Sequence, residues 1–419
     1  MEDRNRKKTP WQQTRKFFND IHLWMGLISG LVVVAVCFSG TVYTYNTELT
    51  EWAASHLHKV DVPRGSERLP VEQLLPEVAA VAGGSVNGIH ISADPARTYR
   101  FTVRKEGEQS RFGTTYYVNP YNGEVRGTSE DQSKTWVAIF MRDMFSLHRW
   151  LLLDRIEEPI IGELPNRTLG SYISGTATIL FTLGVITGLV IWFPQKLRTW
   201  RQGLRVKWKA SWKRVNHDLH NTLAFYSLIL LFVMGITGPQ WSFPWYREGL
   251  QKALGTYREA PTGGRSGNNA QRGGNDRPEE IRPMLPINRL LAATDEVLPY
   301  RGDYMVSLSG SGPVTIRKNK VGFFAPAASD EVKLNAATAE IEEVTVFREK
   351  PFNERIAGSI KALHIGNVYG QFTKLLYFLA CLIATSLPIT GTMIWLNKMK
   401  KKSSKRGQKK QRAVLSDIA

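Results

Sequence analysis

Five of the eight histidines stand at the ends of long apolar segments. His22, His217 and His220 stand where two of these segments begin, and His148 and His364, each after a leucine, lie upstream of the other two. Imidazole at such a place can offer a neutral ring nitrogen to a metal. Two imidazoles on one iron are the axial set of an electron-transferring b-type haem, which needs no cysteine for attachment. Zinc asks for three or four ligands at one locus, and the chain offers three histidines at one edge and two at the other. A polar ring at a wet membrane interface also arises with no ligand at all. What favours ligation is repetition, because the chain resembles itself.

Asn19-Asp20-Ile21-His22 matches His217-Asp218-Leu219-His220. His22 lies eighteen residues before Gly40 in Ser39-Gly40-Thr41, and His220 eighteen before Gly238 in Thr237-Gly238-Pro239. Ile186-Thr187-Gly188 and Ile191-Trp192 match Ile389-Thr390-Gly391 and Ile394-Trp395. The unit is span, outer domain, Leu-His, span, and both copies run in the same direction. His148 lies 39 residues before Thr187 and His364 lies 26 before Thr390. The first copy's extra length is expected as a loop over 151–166, where Pro159, Gly162 and Pro165 stand. Gly26, Gly30, Gly40, Gly184, Gly188, Gly235, Gly238 and Gly391 give room to a macrocycle or let helices pack closely.

The elements that must position these residues follow from where charge is missing. The chain has 419 residues, 42% apolar and 22% charged, with mean hydropathy −0.24 and net charge +18. Ile21–Thr47, Thr168–Gln195, Leu219–Tyr246 and Leu375–Asn397 contain no Asp, Glu, Lys or Arg, and each is long enough to cross a bilayer as a helix. A purely soluble protein is excluded. The basic excess sits beside these spans: six Lys or Arg in the first nineteen residues, eight in 196–217 and nine from Lys398 onward. The positive-inside rule then puts both termini and 196–217 in the cytoplasm and the large hydrophilic blocks outside. Anionic lipid is the expected neighbour of the basic runs, and nucleic acid is not. The predicted order is 1–47 (cytoplasmic start and first helix), 48–167 (outer domain), 168–195 (second helix), 196–218 (basic loop), 219–246 (third helix), 247–374 (outer domain), 375–397 (fourth helix) and 398–419 (basic tail).

Each outer block reads as a small α+β domain, a helix over Leu69–Ala82 or Leu285–Val297 against antiparallel strands such as Thr98–Val103 and Thr114–Val118. A turn is expected at Asn119–Gly123, with Leu334–Glu340 in its place in the second copy. Thr262–Pro283 reads as a flexible linker, and His56, His58 and His90 as solvated. Cys37 and Cys381 are the only cysteines and lie inside spans, so no outer disulfide, covalent haem or iron–sulfur cluster is expected. The first apolar segment is too long for a signal peptide. The sequence holds no GxGxxG in a nucleotide-binding context and no P-loop, and no charge lies mid-span. Electrons would have to come from a bound donor, such as a quinol or a separate reductase.

Topology decides the pairing. His22 and His148 lie on opposite sides of a core ~30 Å thick, so one iron cannot take both, and the same holds for His220 and His364. His22 with His220 would hold one haem near the cytoplasm, and His148 with His364 one near the outer surface, inside a four-helix bundle. His217 shares a helix face with His220 and could replace it or hold a propionate.

These residues carry a family resemblance. Asn19 to Gly26, Leu147-His148-Arg149 and the repeated Ile-Thr-Gly with Ile-Trp resemble the PepSY-associated transmembrane proteins, over about residues 12 to 397. Tyr117 to Val125 resembles the turn of a PepSY domain. The resemblance implies a bacterial inner-membrane protein with four helices in two parallel repeats, two periplasmic PepSY-like domains and two b-type haems on His22, His148, His220 and His364. It implies a ferric-siderophore reductase that passes electrons to Fe(III) chelates and releases Fe(II), an ion that hard oxygen ligands hold weakly. The chelate is expected near Arg149 or the aromatic group Trp241, Phe243, Trp245 and Tyr246, which also reads as an interface belt. Two alternatives remain: an electron-transfer subunit for another periplasmic reductase, and a non-enzymatic membrane protein whose PepSY domains bind a peptidase.

Overall fold

Thr9 opens the first helix, α1 (Pro10–Tyr43), with a capping box: the Gln12 amide donates to the Thr9 hydroxyl at 3.4 Å and the Thr9 amide to the Gln12 side chain at 3.2 Å. The computed structural model describes residues 9–105, 113–194, 197–259, 285–308 and 312–416; the linker expected at 262–283 lies outside them. After α1 come α2 (Asn46–Ala53), α3 (Ser55–His58), α4 (Val71–Ala82), α5 (Ser129–Ser133), α6 (Trp136–Trp150) and α7 (Asn166–Trp192). The second half holds α8 (Trp212–Thr237), α9 (Pro244–Ala253), α10 (Ile287–Val297), α11 (Phe352–Gly358), α12 (Ile360–Ile365) and α13 (Gly370–Ser416). Among the described residues four segments are long and apolar enough to cross a membrane: Pro10–Tyr43, Asn166–Trp192, Trp212–Trp241 and Gly370–Lys401. They pack in the ring α1–α7–α8–α13, which sets α1 diagonally across from α8.

Strands β1 (Ser85–Ile91), β2 (Tyr99–Arg104), β3 (Thr114–Val118) and β4 (Val125–Thr128) come from the first copy. The second copy supplies β5 (Gly302–Ser307), β6 (Val314–Lys320), β7 (Ser329–Leu334) and β8 (Ile341–Thr345). They form one antiparallel sheet in the order β4-β3-β2-β1-β5-β6-β7-β8. This corrects the expectation of two separate α+β domains. Each half alone would leave β1 or β5 as an open edge of unpaired backbone groups. Pairing the two, with Ile89 opposite Val306 and Ile91 opposite Tyr304, covers both edges. α4 and α10 lie on one face over a shared core of Leu74, Val78, Phe101, Leu290, Ile316 and Leu334.

The two turns correspond bond for bond. Asn119 accepts from Gly123 N through its carbonyl and from Tyr121 N through its side chain, and Asn335 accepts in the same way from Ala339 N and Ala337 N. Gly123 has φ +77° and Ala339 φ +60°. The left-handed conformation costs a residue with a Cβ roughly 1–2 kcal/mol. Ala339→Gly is therefore expected to stabilise the protein by about 1 kcal/mol, read as a rise in the unfolding midpoint of the full chain in detergent.

The opposite face of the sheet is also covered, which corrects the reading of His58 and His90 as solvated. His58 is buried with its ring 4.7 Å from that of Tyr117. His90 alternates with Ile89 and Ile91 and so points away from the main core, toward Asp303. Burial pushes the His90 imidazole down to about 3, and the charges of Arg100 and Arg97 push the same way. An unfolded histidine takes up its proton near pH 6.5 and the folded one does not. Stability from this residue is therefore present above pH 6.5 and lost as pH falls from there toward 3, by up to about 1.4 kcal/mol per unit. Comparing unfolding of the wild type with His90→Asn between pH 7 and 4 should show the variant losing less stability on acidification.

Where sheet and bundle meet, Lys374 of α13 donates to both carboxylate oxygens of Glu48 in α2, at 2.6 and 2.7 Å, and Gln371 donates to the same group. Burial alone would raise the Glu48 carboxyl, but these bonds outweigh it and hold it below the usual carboxylate range.

Candidate functional site

The diagonal placement of α1 and α8 brings His22 and His220 together inside the ring, with ring centres 6.4 Å apart and planes nearly perpendicular at 83°. Each ring is anchored through Nδ1. That of His22 lies 3.1 Å from the Gly184 carbonyl and 3.1 Å from the Thr187 hydroxyl, and that of His220 lies 2.9 Å from the Thr390 hydroxyl. Both hydroxyls donate their own hydrogen to a backbone carbonyl, Thr187 to Leu183 and Thr390 to Ser386. They therefore accept from the imidazole, which puts the ring proton on Nδ1 and leaves the Nε2 lone pair free. Neither Nε2 has a hydrogen bond among the described residues. The repeated Ile-Thr-Gly thus supplies the threonine that fixes the tautomer. The glycine that follows supplies space: a Cβ on Gly188 would lie 3.3 Å from Cε1 of His22, and one on Gly391 3.3 Å from Cε1 of His220.

The other pair is carried differently. His148 sits near the end of α6 and His364 near the end of α12, two helices outside the ring of four. α6 packs on α1 and α7, and α12 on α8. The ring centres lie 6.2 Å apart with planes at 57°. His148 Nδ1 is 2.9 Å from the Val36 carbonyl, and His364 Nδ1 is 3.0 Å from the Thr237 hydroxyl, which itself donates to Val233. A Cβ on Gly40 would lie 3.0 Å from His148, and one on Gly238 3.4 Å from His364. The glycines singled out in the sequence therefore divide. Four of them receive the four rings, whereas Gly30 faces Pro388 and Gly235 faces Thr182.

All four rings thus have the form of metal-ligating histidines, with the second nitrogen held by a carbonyl or hydroxyl. A metal bonded at ~2 Å to two facing Nε2 atoms sets the ring centres about 6 Å apart, close to both observed spacings. Around His22 and His220 lies a cavity of about 370 Å³, within the usual range for a small-molecule site. The cavity around His148 and His364 is about 140 Å³, and Trp241 lines it with its ring 4.9 Å from that of His364. Both pairs have a spacing compatible with a shared metal, with more room at the first pair than at the second. Val33, Phe181 and Leu231 line both cavities and form the wall between them. Among the described residues no cluster of three or more His, Cys, Asp or Glu could hold a metal, which leaves pairs as the available ligand sets.

The profile of the PepSY-associated TM region matches residues 20–398. The chain belongs to this family. In this PepSY-associated transmembrane protein the matched stretch contains all four paired histidines. No curated protein matches the chain.

His217 is half exposed, bonded by Asn221 at 3.0 Å and 3.6 Å from Asp218, so it lines the cavity mouth while His220 faces His22. Phe243 stacks on Tyr172 and Trp245 is exposed, as an interface belt would be, whereas Trp241 belongs to the site. The sequence reading missed the roles of Thr187, Thr390 and Thr237, and grouped Trp241 with the outer aromatics rather than beside His364. The threonines left a signal, since each precedes a glycine at a repeated position.

Proposed function

We propose that the chain is a di-haem electron-transfer protein of the bacterial inner membrane that reduces ferric siderophores at the sheet side and frees Fe(II). The observation that carries this reading is the pair of facing imidazole couples, 6.4 and 6.2 Å between ring centres, each ring tied back through Nδ1. His22 with His220 would hold one b-type haem and His148 with His364 the other. A bis-imidazole haem, when bound, takes up and gives back one electron without exchanging a ligand. The protein's part is positional: hydrogen bonds from Nδ1 keep each ring in one orientation, and the apolar walls keep out water. His22 and the level of Val36–Gly40, where His148 docks, are 14–18 helical residues apart, roughly 21–27 Å along α1. Two sites stacked in this way, separated by Val33, Phe181 and Leu231, suit passage of charge from one membrane face to the other. The basic segments flanking the helices argue for the His22–His220 end in the cytoplasm and the sheet in the periplasm. A quinol or a separate reductase would supply electrons. One electron delivered to a ferric chelate gives Fe(II), which its oxygen ligands release.

The test is the visible spectrum of detergent-purified protein together with extracted-haem stoichiometry. About two b-type haems per chain are expected, and haem-free protein overturns the reading. Anaerobic mixing of the reduced protein with ferric chelates then separates a reductase, which reoxidises, from a relay, which does not.

A further inference from the structure

Arg149 is the one formally charged side chain among the residues lining the sheet-end cavity, and no acid lines it. It follows His148 directly and lies in the last turn of α6. Its hydrogen bond runs to the Trp241 carbonyl at 3.2 Å, which uses one of five donors. Among the described residues it takes part in no ion pair, and neither does Arg167. The two guanidinium groups share one indole, that of Trp150, at 5.9 and 4.1 Å from its centre. Two acids close to Arg149 in sequence are engaged elsewhere: Asp143 pairs with Arg155, and Asp154 accepts from Ser146. Arg149 therefore lines an apolar cavity with no ion-pair partner among the described residues, and the exposed Arg167 shares its indole. A half-buried cation without a counter-ion is costly, and a planar guanidinium fork matches a carboxylate best.

We propose that Arg149, backed by Arg167, is a carboxylate-binding site at the mouth of this cavity. Its ligand is a largely apolar or chelated molecule with an acid group at one edge. Two sources share that chemistry. One is a propionate of a tetrapyrrole seated between His148 and His364, an assignment that rests on the function proposed above. The other is a carboxylate of the incoming ferric chelate.

The experiment compares full-length wild type, Arg149→Leu, Arg149→Lys and Arg167→Leu, purified in nanodiscs. A propionate partner predicts that Arg149→Leu lowers the midpoint potential of one haem, because the lost positive charge had favoured the reduced form. A tenfold shift in that equilibrium corresponds to 59 mV for a one-electron couple. Arg149→Lys should recover part of it, and the other haem should not move. A chelate partner predicts unchanged potentials and at least about tenfold weaker binding of ferric citrate, with binding of an uncharged trihydroxamate chelate unaffected. Unchanged potentials together with unchanged ferric citrate binding overturn the proposal. Haem-free wild type sinks the function reading alone, and ferric citrate binding then decides the carboxylate site by itself.

Discussion

Replacing His364 by alanine is expected to remove one of the two haems and leave the other spectrally intact, and His220→Ala is expected to do the same at the opposite end. On the function proposed above the effect is large, because each histidine couple takes one member from either half of the chain and no cluster of three possible ligands exists among the described residues. Loss of one axial imidazole leaves a five-coordinate, weakly held site, whereas loss of a residue that only orients the ligand costs about 10–100-fold in affinity. The measurement is haem per chain with the reduced α-band recorded for each variant. The retained haem serves as the internal proof of folding, and imidazole added to the buffer should restore the lost band. His217→Ala is the discriminating control: it should keep both haems, since its ring bonds Asn221 at the cavity mouth. If His217→Ala lost a haem while His220→Ala kept both, the ligand assignment would be wrong.

The second large effect is expected at Gly40. A Cβ there would sit 3.0 Å from Cε1 and 3.1 Å from Nδ1 of His148. Valine adds two further carbons to that spot and has few rotamers with which to avoid the ring. Gly40→Val should push the imidazole off the Val36 carbonyl, free its tautomer and turn Nε2 away from His364. Affinity for haem at the sheet end should fall by about 10–100-fold, as for a lost orienting partner, with the His22–His220 site unchanged. Resonance Raman or low-temperature EPR of the purified variant separates the two sites. Full occupancy of both would show that the glycine serves helix packing instead.

What was legible in the sequence was whatever repeats or lacks charge. The four spans, the duplicated unit and the partners His22–His220 and His148–His364 all followed from spacing and from the reach of a helix. β3 was expected at Thr114–Val118 and lies there, and α4 and α10 begin two residues inside their expected limits. The joined sheet was not legible, because the residues of β1 and β5 carry the same alternation whether they form edges or centres. For the same reason His90 looked solvated: period-two alternation shows which residues share a face but not what covers that face. Lys318 is a sharper case. It reads as a surface lysine in β6 yet is 1% exposed, donating to Asp295 and to the Leu298 carbonyl with its ammonium over the rings of Tyr300 and Tyr304. Nothing in its neighbours along the chain announces that cage. The helices α6 and α12 are not legible as separate elements, since they carry charge and are too short to cross a membrane.

The strand order reads the same outward from its middle in both directions, and each facing histidine couple takes one member from each copy. Both facts describe a two-fold axis running along the bundle, through the β1–β5 seam and between the members of each couple. A single copy of the repeat could form this sheet and these couples only by pairing with a second copy. Neither half on its own contains a complete histidine couple, so fragments divided within the basic 197–211 segment must reassociate to restore either couple, and with it the proposed electron path.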